Sequence, residues 1–146
     1  CTESNLAFLY GDVIELNKNT GHCRIRKHDK VNKAYLYTNT ICQQSIFYRK
    51  NVFEKYGYFD TKYKIAADKE WLLRAFLKEK LKSKYIDIPF ALFSLGGVSN
   101  NEVYEKVFAK ERKSVKSIYF NSSLVSLTAL MPKSLKFFLI KLTNLN

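Results

Sequence analysis

Three side chains of types that bind transition metals lie close together near the start of the chain: His22, Cys23 and His28. Imidazole nitrogen and thiolate sulfur are common zinc ligands. No Cys-x-x-Cys pair accompanies them, because the other cysteines, Cys1 and Cys42, are far away in sequence, so their spacing matches no standard zinc pattern. These residues therefore predict no metal site.

Two stretches, Arg24 to Tyr37 and Tyr104 to Tyr119, combine basic with aromatic side chains. Such a combination can bind nucleic acid, because cations contact phosphates and aromatic rings stack on bases. Solvated helix faces and buried rings account for the same pattern equally well. Composition favours neither interpretation.

Asp68 and Arg74 have side chains that suit proton transfer and anion binding. A carboxylate such as that of Asp68 can remove a proton from a hydroxyl group. It can equally stabilise the start of a helix, and physical considerations alone favour that role. The Arg74 guanidinium can face a carboxylate or a phosphate. A surface salt bridge to Glu70, four residues earlier, is the alternative.

The elements that position these side chains follow from hydrophobic periodicity and turn residues. Helices are predicted over Lys50 to Tyr56 (ended by Gly57), Ala66 to Lys80, Glu102 to about Phe120, and after Pro132. Strands are predicted at Leu6 to Leu16, His22 to Arg26, Ile46 to Tyr48, Lys84 to Ile88 and Phe90 to Phe93, the last two joined at Pro89. The segment from Lys27 to Asn39 shows no clear periodicity and is left unassigned.

The segment after Pro132 has the pattern of an amphipathic helix at a membrane interface. One helical stripe carries Leu135, Phe138, Leu139 and Leu142, and Lys133, Lys136 and Lys141 lie nearby. No acidic residue follows Glu111, and anionic lipids attract such a basic segment. The alternative is a pair of helices packed on the rest of the protein.

The composition indicates one globular domain with an anionic partner. The chain has 146 residues, 47% of them hydrophobic, and a formal charge of +12. Three cysteines, an odd number, favour a reducing compartment. Apolar runs are too short for a spanning helix. Because the chain begins at Cys1 and not at methionine, it is expected to be a fragment of a longer gene product.

Five motifs occur in the order and approximate spacing of bacterial family 2 glycosyltransferases, which the chain resembles. They are Tyr10-Gly11-Asp12-Val13, Cys42 to Arg49 (CQQSIFYR), Tyr56-Gly57-Tyr58-Phe59-Asp60, Ile65 to Arg74 (IAADKEWLLR) and Gly96-Gly97-Val98-Ser99. The resemblance covers about residues 6 to 100. No single motif is specific, and the case depends on all five in order.

The resemblance implies an α/β fold: a partial GT-A-like domain, Rossmann-like, that lacks its N-terminal donor-binding half and is followed by C-terminal helices. Residues 1–100 would be the acceptor-side half of the catalytic domain, and residues 101–146 a basic amphipathic helical tail. Complete members bind Mg²⁺ or Mn²⁺ through an Asp-x-Asp-type motif, and no Asp-x-Asp or Asp-Asp pair occurs here. The fragment alone is therefore expected to be inactive and to bind no sugar nucleotide with metal.

The resemblance also implies roles for individual residues. Asp68 matches the general base of inverting members, and Arg74 the arginine of the pattern Asp-x-x-x-x-x-Arg. Gln44 matches the second position of a common His-Gln pair and would bind donor or acceptor sugar, with a packed polar residue at the start of a strand as the equal alternative. Gln43 replaces the histidine. The loop of Gly96, Gly97 and Ser99 would close the acceptor side, with an ordinary turn as the alternative. Asp60 is predicted to be a turn former.

The resemblance thus implies inverting transfer of a sugar from a nucleoside diphosphate sugar to a glycan or lipid-linked acceptor, in assembly of bacterial surface polysaccharide. The expected location is the cytoplasm, with peripheral contact to the inner face of the cell membrane as a further option. The competing hypothesis is a non-catalytic basic module that binds nucleic acid or an anionic membrane surface. With the enzyme interpretation, no nucleic-acid partner is expected.

Overall fold

The protein has a mixed α/β architecture, which confirms the predicted class. The computed structural model describes residues 5–95, 102–121, 127–128 and 131–142, with the backbone only for 102–104. The strands are β1 (Phe8–Leu16), β2 (Cys23–Arg26), β3 (Ile46–Tyr48) and β4 (Ser83–Ser94). The helices are α1 (Lys33–Thr38), α2 (Asn51–Tyr56), α3 (Ala67–Leu73), α4 (Glu102–Tyr119) and α5 (Lys133–Leu142).

The sheet is built around β1, the apolar strand that the sequence predicts. β4 runs parallel to β1 along its whole length, from Phe8 opposite Ser83 to Leu16 opposite Ser94. The antiparallel strands β2 and β3 therefore share the other edge of β1, where β2 pairs with its second half and β3 with its first half. The predicted strands at β1, β2 and β3 are confirmed.

The prediction of two separate strands on either side of Pro89 is wrong. β4 is continuous, and its extra residues bulge where the register moves from Gly11 opposite Ile86 to Asp12 opposite Pro89. A proline is tolerated at a bulge, where its missing N–H breaks no ladder bond. A Cβ on Gly11 would lie 2.5 Å from the Ile88 carbonyl oxygen, so a residue without a side chain is needed opposite the bulge.

Helix α1 forms in the segment that periodicity leaves unassigned. The side chain of Asn32 accepts a hydrogen bond from the Tyr35 N–H, which caps the first turn. Leu36 and Tyr37 are each 1% exposed and belong to a core cluster with residues of α3, α4 and α5. Because six residues rarely form a stable helix alone, this tertiary burial maintains α1.

Helices α4 and α5 pack onto α1 and α3. Val115 and Ile140 are fully buried in the same cluster as Tyr37, so the helices after residue 101 contribute to the core. The inward face of α5 therefore agrees with the alternative prediction, in which the last helices pack on the rest of the protein. Its outward face carries three residues of the predicted stripe, Leu135, Phe138 and Leu142, which are 45%, 60% and 47% exposed.

Helix α3 is the helix predicted from Ala66 to Lys80. It continues as a π-helical turn at Arg74–Lys78. Trp71, Leu72 and Ala75 are buried against β1, β3 and α2, as the periodicity predicts. In the parts of the chain that the structure describes, none of the helices has the length and apolar character needed to cross a bilayer.

Candidate functional site

Asp68 lies in the first turn of α3, at the partly exposed end of the helix. The Lys69 N–H donates to its Oδ1 at 2.6 Å. Burial raises the pKa of the Asp68 carboxyl, and the hydrogen bond and charge of Lys69 oppose that rise. The salt bridges among the described residues do not include Asp68. This carboxylate is therefore fixed, partly desolvated and more basic than an exposed aspartate.

The turn at Gln43–Ser45 leads into strand β3, whose Tyr48 side chain interacts with the charge of Asp68. The Tyr48 hydroxyl donates to Gln43 Oε1 at 3.1 Å. Burial raises the pKa of Tyr48, and the bond to Gln43 lowers it. The charge of Asp68 raises it as well, so the phenol lies within electrostatic reach of Asp68. Gln44 is exposed, and its Oε1 accepts from the Cys42 thiol at 2.9 Å. Tyr48 was not a sequence candidate, although it lies within the second motif.

The Glu111 carboxylate of α4 holds the chain that leads into α3. It accepts the N–H groups of Lys64 at 2.8 Å, Ile65 at 2.9 Å and Ala66 at 2.9 Å. Burial opposes ionisation of Glu111, but these three bonds outweigh it, and its pKa lies below the ordinary value. Since α3 has no side-chain cap of its own, Glu111 supplies one from another helix and so positions Asp68.

Arg74 joins α3 to the loop after α2. Its guanidinium donates to the Tyr56 carbonyl at 2.7 Å, to the Tyr58 carbonyl at 2.7 Å, and to both carboxylate oxygens of Glu70 at 3.2 and 3.0 Å. Glu70 is only 6% exposed, so the pair is not the surface salt bridge that spacing suggests. Its carboxylate also accepts from the Tyr119 hydroxyl at 2.5 Å. Arg74 thus holds the motif at Tyr56 to Asp60 against the motif at Ile65 to Arg74.

Replacement of Gly57 by alanine is expected to destabilise the protein by about 2 kcal/mol or more, because its backbone at ψ 155° and positive φ is strained for a residue with a Cβ, and the new atom meets Arg74. Gly57 has φ +84°, and a Cβ there would lie 2.7 Å from an Arg74 guanidinium nitrogen. Gly21 is the matched control, since it has φ +68° with nothing within 4 Å. Equal losses for Gly57→Ala and Gly21→Ala in urea unfolding would show that the Arg74 contact contributes nothing.

Asp12, in the first motif, is fully buried on β1. Its Oδ1 accepts from the His28 N–H and from the Tyr85 hydroxyl, each at 2.9 Å. The Lys27 ammonium lies 3.0 Å from Oδ2. Burial would raise the pKa of Asp12, but these donors together hold it below the ordinary value. Asp12 therefore attaches the end of β2 and the following loop to the centre of the sheet.

His28 connects the buried Asp12 to Cys42, which precedes the turn at Gln43–Ser45. Its Nδ1 lies 2.6 Å from the Tyr35 hydroxyl, and its Nε2 accepts from the Cys42 N–H at 3.3 Å. A ring nitrogen that accepts a hydrogen bond is unprotonated, so the imidazole is neutral. Burial, and next the charge of Arg26, lower the pKa of His28 to about 4. The residue supports Cys42 and the turn that carries Gln43 and Gln44.

The remaining predicted site residues, Gly96, Gly97 and Ser99, lie outside the described residues. Within the described ranges, no three His, Cys, Asp or Glu side chains are placed to hold a metal ion. The charge of Asp68 acts on the Tyr48 phenol, which donates to Gln43, whereas the Arg74 guanidinium bonds to Glu70 and to the loop after α2.

No protein-family model matches the chain. Over 102 residues, 70% of this chain, it is 29% identical to proteins named PGL/p-HBAD biosynthesis glycosyltransferase from Mycobacterium bovis (strain BCG / Pasteur 1173P2) and Mycobacterium tuberculosis (strain ATCC 25177 / H37Ra). The chain spans 38% of the length of these relatives. The similarity supports the relation to glycosyltransferases that the motifs predict, without distinguishing among glycosyltransferase families.

Proposed function

We propose that this chain is the acceptor-side part of a GT-A-like, family 2 glycosyltransferase that moves a sugar from a nucleoside diphosphate sugar to a glycan or lipid-linked acceptor with inversion. The observation that carries this proposal is the environment of Asp68, a partly desolvated carboxylate outside any described salt bridge. The similarity to the mycobacterial glycosyltransferases supports it from outside the structure.

In the proposed reaction, Asp68 removes the proton of an acceptor hydroxyl as its oxygen attacks the anomeric carbon. The bond from that carbon to the donor diphosphate breaks, and the nucleoside diphosphate leaves. Partial burial helps, because a carboxylate with a raised pKa accepts a proton more readily. The Lys69 N–H orients Oδ1, and Glu111 sets the start of α3, so the base is fixed before the acceptor binds.

Two of the other predicted roles take a definite form in this proposal. Gln44 is exposed in the turn at Gln43–Ser45, and its amide would bind a sugar hydroxyl. Arg74 would act indirectly, because its donors bond to Glu70 and to two carbonyls of the loop after α2. It would keep α3 in place and leave the sugar contacts to other groups.

The test is glycosyl transfer by the full-length protein with a panel of nucleoside diphosphate sugars, supplied with Mg²⁺ or Mn²⁺. We expect turnover with one donor class, a product with inverted anomeric configuration by NMR, and loss of turnover on chelation of the metal. A product with retained configuration would remove the role assigned to Asp68. Absence of transfer from every donor would contradict the proposal as a whole.

The second candidate is a non-catalytic basic module, and one observation favours it. The outward face of α5 exposes Leu135, Phe138 and Leu142 beside basic residues, which suits an anionic membrane surface. The same face would serve peripheral attachment of the enzyme at the cytoplasmic side of a membrane. Salt-sensitive binding to anionic vesicles or to nucleic acid, combined with no transfer from any donor, would favour the module.

A further inference from the structure

Cationic side chains from three different helices meet at the C-terminal end of α1. The buried Lys69 ammonium of α3 donates to the carbonyl oxygens of Leu36 at 2.8 Å and Asn39 at 2.7 Å. From α5, the Lys133 ammonium donates to Asn39 Oδ1 at 3.2 Å. The carbonyls at a helix C-terminus carry partial negative charge and attract cations. Two ammonium groups are therefore held beside the same asparagine.

Helix α4 adds two more cations at this place. The Arg112 guanidinium lies 3.4 Å from the Thr38 carbonyl oxygen, and the Lys116 ammonium lies 4.2 Å from the centre of the Tyr37 ring. Arg112 and Lys116 are one helical turn apart, so they face the same side of α4. We call Lys69, Arg112, Lys116 and Lys133 the cationic cluster.

The positive charge of the cationic cluster exceeds the negative charge of the groups that act on it. The charges that act on Lys116 are all positive, from Arg112, Lys136 and Lys133, and with burial as the largest cause they lower its pKa to about 8. Burial and three cations likewise lower the pKa of Lys69, and Asp68 is the acid that opposes them. A helix C-terminus supplies only about half a negative charge. Adding an anion here relieves repulsion that the fold leaves in place.

Within the described part of the chain, the contacts of the cationic cluster use only part of its hydrogen-bond capacity. An ammonium has three N–H donors and a guanidinium five, of which the described contacts use two on Lys69 and one each on Lys133 and Arg112. Lys69 is buried, Arg112 and Lys116 are half-buried, and Lys133 is exposed. The side chains of the cationic cluster thus range from the buried Lys69 to the exposed Lys133.

We propose that the cationic cluster is a binding site for a phosphate group, held by Arg112, Lys116 and Lys133 with Lys69 beneath it. Phosphate suits it because its oxygens accept several charge-assisted hydrogen bonds and a guanidinium matches their geometry. Lys69 directly follows Asp68 in α3, and the charge of Asp68 acts on the Lys69 ammonium, so the cationic cluster and the proposed base interact electrostatically. The assignment of that phosphate to the acceptor substrate rests on the proposed function, whereas phosphate binding itself does not.

The test measures binding of two phosphate sources by the protein, without any transfer reaction. Inorganic pyrophosphate is titrated in a calorimeter, and vesicles of phosphatidylcholine with or without phosphatidic acid are tested by co-sedimentation. We expect binding in at least one of these two measurements. Binding of pyrophosphate indicates a soluble phosphate ligand, and binding of vesicles that depends on phosphatidic acid indicates a lipid-borne one. The double variant Arg112→Gln/Lys116→Gln is expected to weaken it about tenfold or more.

The matched control is Lys110→Gln/Lys113→Gln, which removes the same charge from exposed positions of the same helix. It is expected to change affinity less than about twofold, by screened long-range attraction alone. Lys133→Gln changes an exposed side chain and tests the proposal if Arg112→Gln/Lys116→Gln does not fold. It is expected to weaken binding as well. No binding in either measurement, or equal weakening by the control variant, overturns the proposal. Transfer activity bears on the proposed function separately.

Discussion

Transfer activity of the full-length protein is expected to fall by about 10²- to 10⁴-fold when Asp68 is replaced by Asn, the usual contribution of a general base. Asparagine keeps the shape of the side chain and an oxygen for the Lys69 N–H, so the geometry at the start of α3 is retained. The asparagine amide is not basic enough to remove the proton from the acceptor hydroxyl. The loss should appear in kcat, with little change in the KM for the donor.

Asp60→Asn is the control for this experiment. Asp60 lies in the loop after α2, where it pairs with Lys62 and accepts the Lys62 N–H, so it serves the turn that the sequence predicts for it. Its replacement is expected to leave the transfer rate within about twofold, as for most surface changes. Undiminished turnover in Asp68→Asn would exclude Asp68 as the base, whatever Asp60→Asn does.

Acidification from about pH 6.5 to about pH 4 is expected to lower the free energy of unfolding by about 2 kcal/mol through His28, after allowance for solvent screening. The pKa of His28 lies below its ordinary value, at about 4. As the pH falls, the unfolded chain therefore takes up a proton before the folded protein does. The contribution is fully present above pH 6.5, and it is lost as the pH falls to the folded pKa.

Urea unfolding at several pH values between about 4 and 7 measures this effect. His28→Gln is expected to be less stable at neutral pH, because the buried ring and its bonds to Cys42 and Tyr35 are lost, but to show a flatter pH dependence in this window. The exposed His22 is the matched control, and His22→Gln should keep the full slope. An unchanged slope in His28→Gln would place the acid sensitivity elsewhere.

The hydrophobic pattern of the sequence was enough to locate the strands and helices that have a strong periodicity. The apolar run around β1 predicts a buried strand, the 3.6-residue repeat from Ala66 predicts α3, and Gly57 ends α2 as predicted. The order of the motifs also predicts a relation to glycosyltransferases, which the similarity to the mycobacterial proteins supports in general terms, and the role of Asp68 stays a prediction. The predictions of β1, α3 and the end of α2 succeed because each depends on residues within about one element of each other.

The remaining features depend on contacts between residues far apart in the chain. Helix α1 is too short to show a period and forms because Leu36 and Tyr37 are buried by other helices. The continuity of β4 through Pro89 depends on the space that Gly11 leaves on the neighbouring strand.

The candidate site shows the same division. Glu111 caps α3 from 45 residues away along the chain, and the cationic cluster gathers side chains from three helices around the end of α1. Hydrogen bonds and charge interactions depend on distance in space, and a residue pattern along one chain contains no such distances. Folding therefore converts a plausible acid at position 68 into a fixed and partly desolvated one.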